Sequence, residues 1–326
     1  MEQNITQNQN LKSELIFQKN NFNFLNSGKL GLSLIFEYLK EEKNFNPKFD
    51  EVFVPKFMGN WIYSSLNQKC VTSPTLSLNT KVIYMYHQFG IPQKYQEIKD
   101  FADENKLILL EDCAHVLSGK DDNDNLIGEL GDYTIFSLSK FINCYLLGGV
   151  TSKDENFNLF IKDQINKSSK IQSYINYFMI RFAYSLNENS ILRKKLFNIN
   201  YSLYNFPSKN LNFVINKFKK NIKREIDLRK IRYNQLRDMF KENILFDYLK
   251  CKDLIIFKAP IITEKNNHNK IIENFNKNNL TYEILNYDIN RNILNSKYNP
   301  TILIPIGSEN PSFNQQLKII KDIIDE

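Results

Sequence analysis

Two short apolar runs, each delivering polar chemistry at its carboxyl end, constrain this chain more than any other feature. The first is Leu107 to Leu110, which runs into Glu111 and Asp112, with His115 three residues beyond the pair. The second is Tyr133 to Leu138, which brings Ser137 and then Lys140 to its end. Upstream, Lys81 to Tyr86 is another apolar strand, and Pro92 to Lys106 repeats Tyr95, Ile98, Phe101 and Ala102 at helical spacing. Strand, helix and strand in immediate succession make a βαβ unit, which implies parallel strands and a right-handed crossover. In an open α/β sheet, ligands sit beyond the carboxyl ends of the strands, so Asp112, His115, Ser137 and Lys140 should converge on one crevice.

A chain of 326 residues is long for one core, so two domains are expected. The pattern divides it into a large α/β domain with a helical region, 1–215, and a long helix with a small closing α/β unit, 216–326. The formal charge of +7 suits a phosphorylated ligand and falls well short of a nucleic-acid signature. The basic run from Lys217 to Arg232 reads as a solvated helix face, because Phe218, Ile222 and Ile226 between its charges are needed for a core. Four widely spaced cysteines without a Cys-x-x-Cys pair point away from a disulfide scaffold and toward a reducing cytoplasm. Cys113, His115 and His87 lack a recognisable metal-ligand spacing, and no metal is expected. The opening MEQNITQNQNLKSE lacks the basic and apolar regions of a signal peptide, and the most apolar window, Ile175 to Tyr184, is too short to span a bilayer. A buried or interface helix is expected there, in a soluble protein.

The remaining pattern is coarse. Asn26 or Ser27 can cap a helix whose inner face is Leu30, Leu34, Ile35, Tyr38 and Leu39. Short strands are expected at Glu51 to Pro55 and Gly149 to Ser152, and no strand is recognisable between Pro55 and Lys81. Helices should fill Asn156 to Phe240, the last beginning at Val214. The closing unit should contain strands at Leu254 to Lys258, Thr281 to Leu285 and Thr301 to Ile306, with helices at Asn267 to Asn278 and Asn314 to Ile324.

A carboxylate, an imidazole, a hydroxyl and an amine in one crevice form the arrangement that a pyridoxal phosphate site requires. The residues that compose it, EDCAH, GELGD, FSLSK and a downstream Gly-Gly, resemble the DegT/DnrJ/EryC1/StrS family of sugar aminotransferases. The resemblance extends to Ser27-Gly28-Lys29, FVP, HQFGIPQ, RKIRYNQL and ILIPI. It implies an α/β fold of the fold-type I transferases, a mostly parallel sheet with a smaller C-terminal domain, and pyridoxal phosphate as cofactor. It also implies that Lys140 is the Schiff-base lysine and that Asp112 pairs with the pyridinium nitrogen. By the same match His115 lies against the ring near its phenolic oxygen, while Ser137 and the Ser27-Gly28-Lys29 turn bind the phosphate at a helix N-terminus. Phe57 and Trp61 are the candidates for the aromatic that stacks on the cofactor.

The activity so implied is transfer of an amino group from glutamate to a nucleotide-linked keto sugar, for a surface glycan or similar natural product. A sugar dehydratase is the alternative within the family, although its dehydratases replace the lysine by histidine and Lys140 is present here. A cofactor-free scaffold that kept the fold is the third reading, supported by the compressed stretch from Pro55 to Lys81. The family resemblance further implies a homodimer with shared sites. The aromatic-rich stretch Tyr174 to Tyr204 carries more Phe and Tyr than a small lobe can bury, which marks an association surface. The basic positions around Arg224 to Arg232 are then expected to reach the neighbouring site's phosphates.

Overall fold

The computed structural model describes residues 15–325 apart from 170, 204–206, 208, 210 and 241–243. The reading of the opening residues and of Tyr204 falls outside the described residues. Strand β1 (Asn23–Leu25) leads into helix α1 (Gly28–Glu42), followed by β2 (Glu51–Phe53), α2 (Asn60–Asn67), β3 (Val71–Ser73) and β4 (Thr80–Tyr86). Helix α3 (Tyr95–Glu104) and strands β5 (Ile108–Cys113), β6 (Tyr133–Phe136) and β7 (Gly148–Ser152) come next. Helices α4 (Glu155–Lys167), α5 (Gln172–Ser185), α6 (Ile191–Leu203) and α7 (Asn212–Phe240) lead to the closing unit. That unit comprises β8 (Lys258–Ile261), α8 (Lys265–Lys277), β9 (Glu283–Asp288), β10 (Tyr298–Pro305) and α9 (Phe313–Ile324).

The seven strands of the first half form one sheet in the order β1-β7-β6-β5-β4-β2-β3, and the last three form a second in the order β8-β10-β9. Strands β3, β2, β4, β5 and β6 run parallel; at one edge β7 is reversed against β6, and β1, antiparallel to β7, runs with the parallel set again. The strands flanking α3 pair in parallel as expected, from Val82 opposite Ile108 to Tyr86 opposite Asp112.

The large sheet separates two apolar cores, and strict alternation sorts its side chains between them. On β4, Val82, Tyr84 and Tyr86 join the core that holds Leu30, Leu34, Ile35 and Leu39 of α1, while Ile83 and Met85 face the other. Leu110 of β5 lies on the α1 side, and Leu109 and Cys113 lie opposite. The same period turns Asp112 toward the α1 side and Glu111 away from it. The second core also takes in Phe218, Ile222, Ile226, Tyr233 and Leu236 of α7 and the inner faces of α8, α9, β8 and β10.

Several boundaries differ from the sequence reading. The acidic pair does not follow the strand at Leu110; β5 continues through Cys113 and carries both acids. Strand β6 ends at Phe136, and Leu138–Lys140 forms a 3-10 turn rather than a strand end. No strand occupies Leu254 to Phe257. Its backbone bonds instead to loops of the large sheet, Leu117 N–H to Ile255 O at 3.0 Å, Ile255 N–H to Ser118 O at 2.9 Å, and Phe257 N–H to His115 O at 3.0 Å. The ladder begins only at Lys258. Thr281 to Leu285 is likewise displaced, to Glu283–Asp288. Strands β1 and β3 were not foreseen; each has three residues, too few for alternation to register. The basic helix is not wholly solvated. Arg229 is fully buried, with Nε donating to Glu225 Oε1 at 2.8 Å and Nη1 to Ile256 O at 2.8 Å. Arg232 donates to Ile306 O and Gly307 O. Arg229 is thus committed within the chain, whereas Arg232 is half-buried and spends only Nη1 there, and Arg224 is exposed.

Candidate active site

One cavity of about 280 Å³ opens beside the carboxyl ends of β5 and β6 and the N-terminus of α1. Ser27, Gly28, Lys29, Asp112, His115, Ser137 and Lys140 all line it. All the site residues expected from the sequence therefore meet in one place. Met58, Trp61, Tyr86 and Ser139 share the lining and were not assigned beforehand, Trp61 excepted.

Close backbone packing builds one wall. A Cβ on Gly28 would stand 2.9 Å from Phe136 O, and one on Gly148 would stand 2.4 Å from Gly28 N. The helix can therefore begin directly over the ends of β6 and β7 only because both positions lack side chains. Ser27 is the N-cap, its Oγ accepting from Leu30 N–H at 3.1 Å. The positive end of α1 thus faces the cavity, a natural place for a phosphate. Lys29 follows at once, its Nζ 4.8 Å from the centre of the Trp61 ring, and burial lowers its pKa to about 8. Phe57 lies outside the cavity lining and packs edge-on against Tyr298 at 4.9 Å. Of the two aromatic candidates, only Trp61 lines the site.

Lys140 is held by its 3-10 turn, in which Lys140 N–H donates to Ser137 O at 3.3 Å and Ser139 N–H to Leu147 O at 2.9 Å. Its side chain lines the cavity and is exposed to solvent there, while desolvation by the surrounding protein pushes its pKa down to about 8; Asp112 opposes the shift, and Lys258 and Lys29 add to it. Asp112 is fully buried. Burial raises its pKa, while the Tyr84 hydroxyl, Lys140 and the Ala114 N–H favour the anion and limit the rise. His115 is half-buried and stacks on Phe257 at 5.0 Å; burial, then the positive charge of Lys140 and Lys258, holds it neutral.

Glu111 points into the opposite core and serves structure. Its Oε1 accepts from Gly128 N–H at 2.7 Å and lies 3.0 Å from His87 Nε2; its Oε2 accepts from Leu130 N–H, Gly131 N–H and Thr134 Oγ1. The GELGD segment is therefore the loop that wraps this carboxylate. Burial alone would raise its pKa, but His87 and the loop N–H groups outweigh that and hold it below the ordinary carboxylate value. Cys113 Sγ donates to the same oxygen at 3.4 Å, so His87, Glu111 and Cys113 cluster without His115. Their polar atoms are satisfied by one another, by the loop and, at His87 Nδ1, by the Gln93 N–H at 3.1 Å. Glu111→Ala is expected to cost roughly 3–5 kcal/mol, because it strands these buried donors. Urea denaturation checks this, and a loss under 1 kcal/mol would contradict the anchoring role.

The comparisons agree with this geometry. Residues 68–292 match the model of the DegT/DnrJ/EryC1/StrS aminotransferase family, and the chain belongs to that family. No curated protein matches the sequence. Among solved structures, it is similar to Helicobacter pylori PseC, an aminotransferase involved in pseudoaminic acid biosynthesis, at TM-score 0.61 and 13% identity, covering 93% of this chain and 86% of that one. It is also similar to the putative sugar aminotransferase Spr1654 of Streptococcus pneumoniae in its PMP form, at TM-score 0.60 and 14% identity, covering 99% and 91%. A third is the E. coli GDP-4-keto-6-deoxy-D-mannose-3-dehydratase with bound hydrated PLP, at TM-score 0.58 and 14% identity, covering 98% and 90%. At these identities the likeness establishes the fold, that of the fold-type I transferases.

Proposed function

We propose that this chain is a cytoplasmic pyridoxal phosphate-dependent aminotransferase that moves an amino group from glutamate to a nucleotide-linked keto sugar for a surface glycan. The observation that carries this reading is the meeting of Lys140 and Asp112 in one cavity under a helix N-terminus. The donor set fits the cofactor: an amine of lowered pKa for its aldehyde, a buried carboxylate for its ring nitrogen, and a capped helix end for its phosphate. When bound, pyridoxal phosphate supplies an electron-accepting ring conjugated to that aldehyde.

The protein's own residues do the rest. Neutral Lys140 is a nucleophile, and once released it can take a proton from one carbon and return it to another. Asp112 holds a proton on the ring nitrogen by opposing its charge. Gly28 and Ser27 bring backbone and hydroxyl groups to the phosphate, and Lys29 and Ser137 border the same place. His115, neutral, would face the ring. Lys140 favours transamination over dehydration, since the resembling dehydratases carry histidine there.

Because only the neutral amine attacks, capture of added pyridoxal phosphate should accelerate as pH rises through about 8 and level off above it. The rise between about pH 7 and about pH 9 should approach tenfold by stopped-flow absorbance; a flat profile would contradict the lowered amine pKa. Incubating the protein with glutamate and a panel of keto-sugar nucleotides tests the reaction itself. One 2-oxoglutarate per amino sugar is expected by mass spectrometry. A dehydrated sugar without added nitrogen would instead make the chain a dehydratase.

The reading includes a homodimer. Its support is the face of α5 and α6, where Ile175, Phe178, Phe182, Tyr184, Ile191 and Ile199 are exposed. Light scattering across a dilution series should give about twice the 38.6 kDa monomer mass. A monomer that retains cofactor and turns over would refute a shared site.

A further inference from the structure

Strand β4 places tyrosines at 84 and 86, alternate positions that share the α1 side of the sheet. Each hydroxyl meets one of the two side chains assigned to the cofactor ring. Tyr84 Oη donates to Asp112 Oδ2 at 2.5 Å, and Ala114 N–H donates to Oδ1 at 2.7 Å. Both carboxylate oxygens are thereby held from the protein side. A carboxylate offers about four acceptor sites, so each oxygen keeps one for a further donor. Tyr84 is wholly buried, which pushes its own ionisation far up and keeps it a donor.

Tyr86 works on His115. Its Oη lies 2.7 Å from His115 Nδ1, and a phenol that stays protonated has one proton to give there. The imidazole lies between Phe257 and Phe89, with interplanar angles of 16° and 12°. A neutral imidazole whose Nδ1 accepts must carry its proton on Nε2, leaving that N–H as its only donor.

We propose that Tyr84 and Tyr86 are a pair of positioning residues, Tyr84 holding the Asp112 carboxylate in place as an anion and Tyr86 locking His115 as the Nε2–H tautomer. The pair sets a fixed acceptor and a fixed donor before any ligand arrives. Such prior orientation is what makes electrostatic assistance effective in a buried site. Its use in catalysis rests on the pyridoxal phosphate reading, but the hydrogen bonds are properties of the chain. Lys140 and His87 are the titratable groups that act on Asp112 alongside Tyr84, and Lys140 and Lys258 those that act on His115.

Both halves can be tested without cofactor. The sequence has three histidines, so ¹⁵N-histidine labelling of the full chain resolves His115 readily, with His87 and His268 reporting that variants remain folded. His115 should show a non-protonated Nδ1 and a protonated Nε2 from about pH 6 to about pH 8, and Tyr86→Phe should replace that signature with tautomer averaging. A protonated Nδ1 in the parent protein, or an unchanged signature in Tyr86→Phe, would overturn the tautomer lock. For Tyr84, the denaturation midpoint of Tyr84→Phe is compared with the parent's as pH changes. Losing the donor raises the folded-state pKa of Asp112 further. The folded protein then binds more protons than the unfolded chain over a wider range, and the variant's deficit grows as pH rises from the ordinary carboxylate range upward. A deficit independent of pH would mean that the hydroxyl only fills space, and would overturn this half. Neither readout involves pyridoxal phosphate, so failure here is distinct from failure of the cofactor reading.

Discussion

Lys140→Ala is expected to lower turnover by about 10²–10⁴-fold, the range in which a positioned proton-transfer group contributes. It should also remove covalent retention of pyridoxal phosphate while leaving the fold intact. The side chain lines the cavity and, among the described residues, makes no hydrogen bond to another element; its turn is held by backbone bonds from Ser139 and Lys140. Lys140→Arg keeps the positive charge but cannot lose it, so it should be as inactive as the alanine variant. An alanine variant with more than a tenth of the parent rate would show that another amine does the chemistry, and Lys29, also of lowered pKa and lining the cavity, would be the first to examine.

Asp112→Asn is expected to cost roughly 3–5 kcal/mol of transition-state stabilisation, as when one partner of a buried ion pair is removed. That is about 10²–10⁴-fold in rate, with cofactor still bound. The amide keeps the shape, but its single oxygen can accept from only one of Tyr84 and Ala114, and it has no charge to hold the ring nitrogen protonated. Among the described residues no other acid lines the cavity. Glu111, adjacent in sequence, is turned to the other face of β5 and bound by the loop from Gly128 to Gly131. Near-normal turnover in Asp112→Asn would show that the ring nitrogen does not depend on this carboxylate.

The site was legible in the sequence because its residues sit at the ends of adjacent apolar strands, where order along the chain translates into proximity. Asp112, His115, Ser137 and Lys140 needed only a parallel sheet to converge, and the pairing of β5 with β6 supplied it. What the sequence did not disclose depends on which face of a strand a residue takes. Asp112 and Glu111 look alike as letters, and only the register of β5 assigns one to the cavity and the other to a structural anchor. Tyr84 and Tyr86 carried a usable signal, two tyrosines at period two on a buried strand, whose hydroxyls must find partners. The burial of Arg229 was hidden because its partners, Glu225 apart, lie far along the chain, at Ile256, Phe257 and Glu309. The run Leu254 to Phe257 failed as a strand for a related reason. Burial was legible in its apolar residues, but whether its backbone bonds to a ladder or to distant loops was not.

The most direct test of the account is borohydride reduction of the protein loaded with pyridoxal phosphate, followed by peptide mapping. Reduction should fix the cofactor to one position and bleach the absorbance near the visible edge. The adduct is expected on Lys140, in the peptide that spans Phe136 to Cys144. An adduct on Lys29, Lys153 or Lys258, or a protein that takes up no cofactor at all, would contradict it.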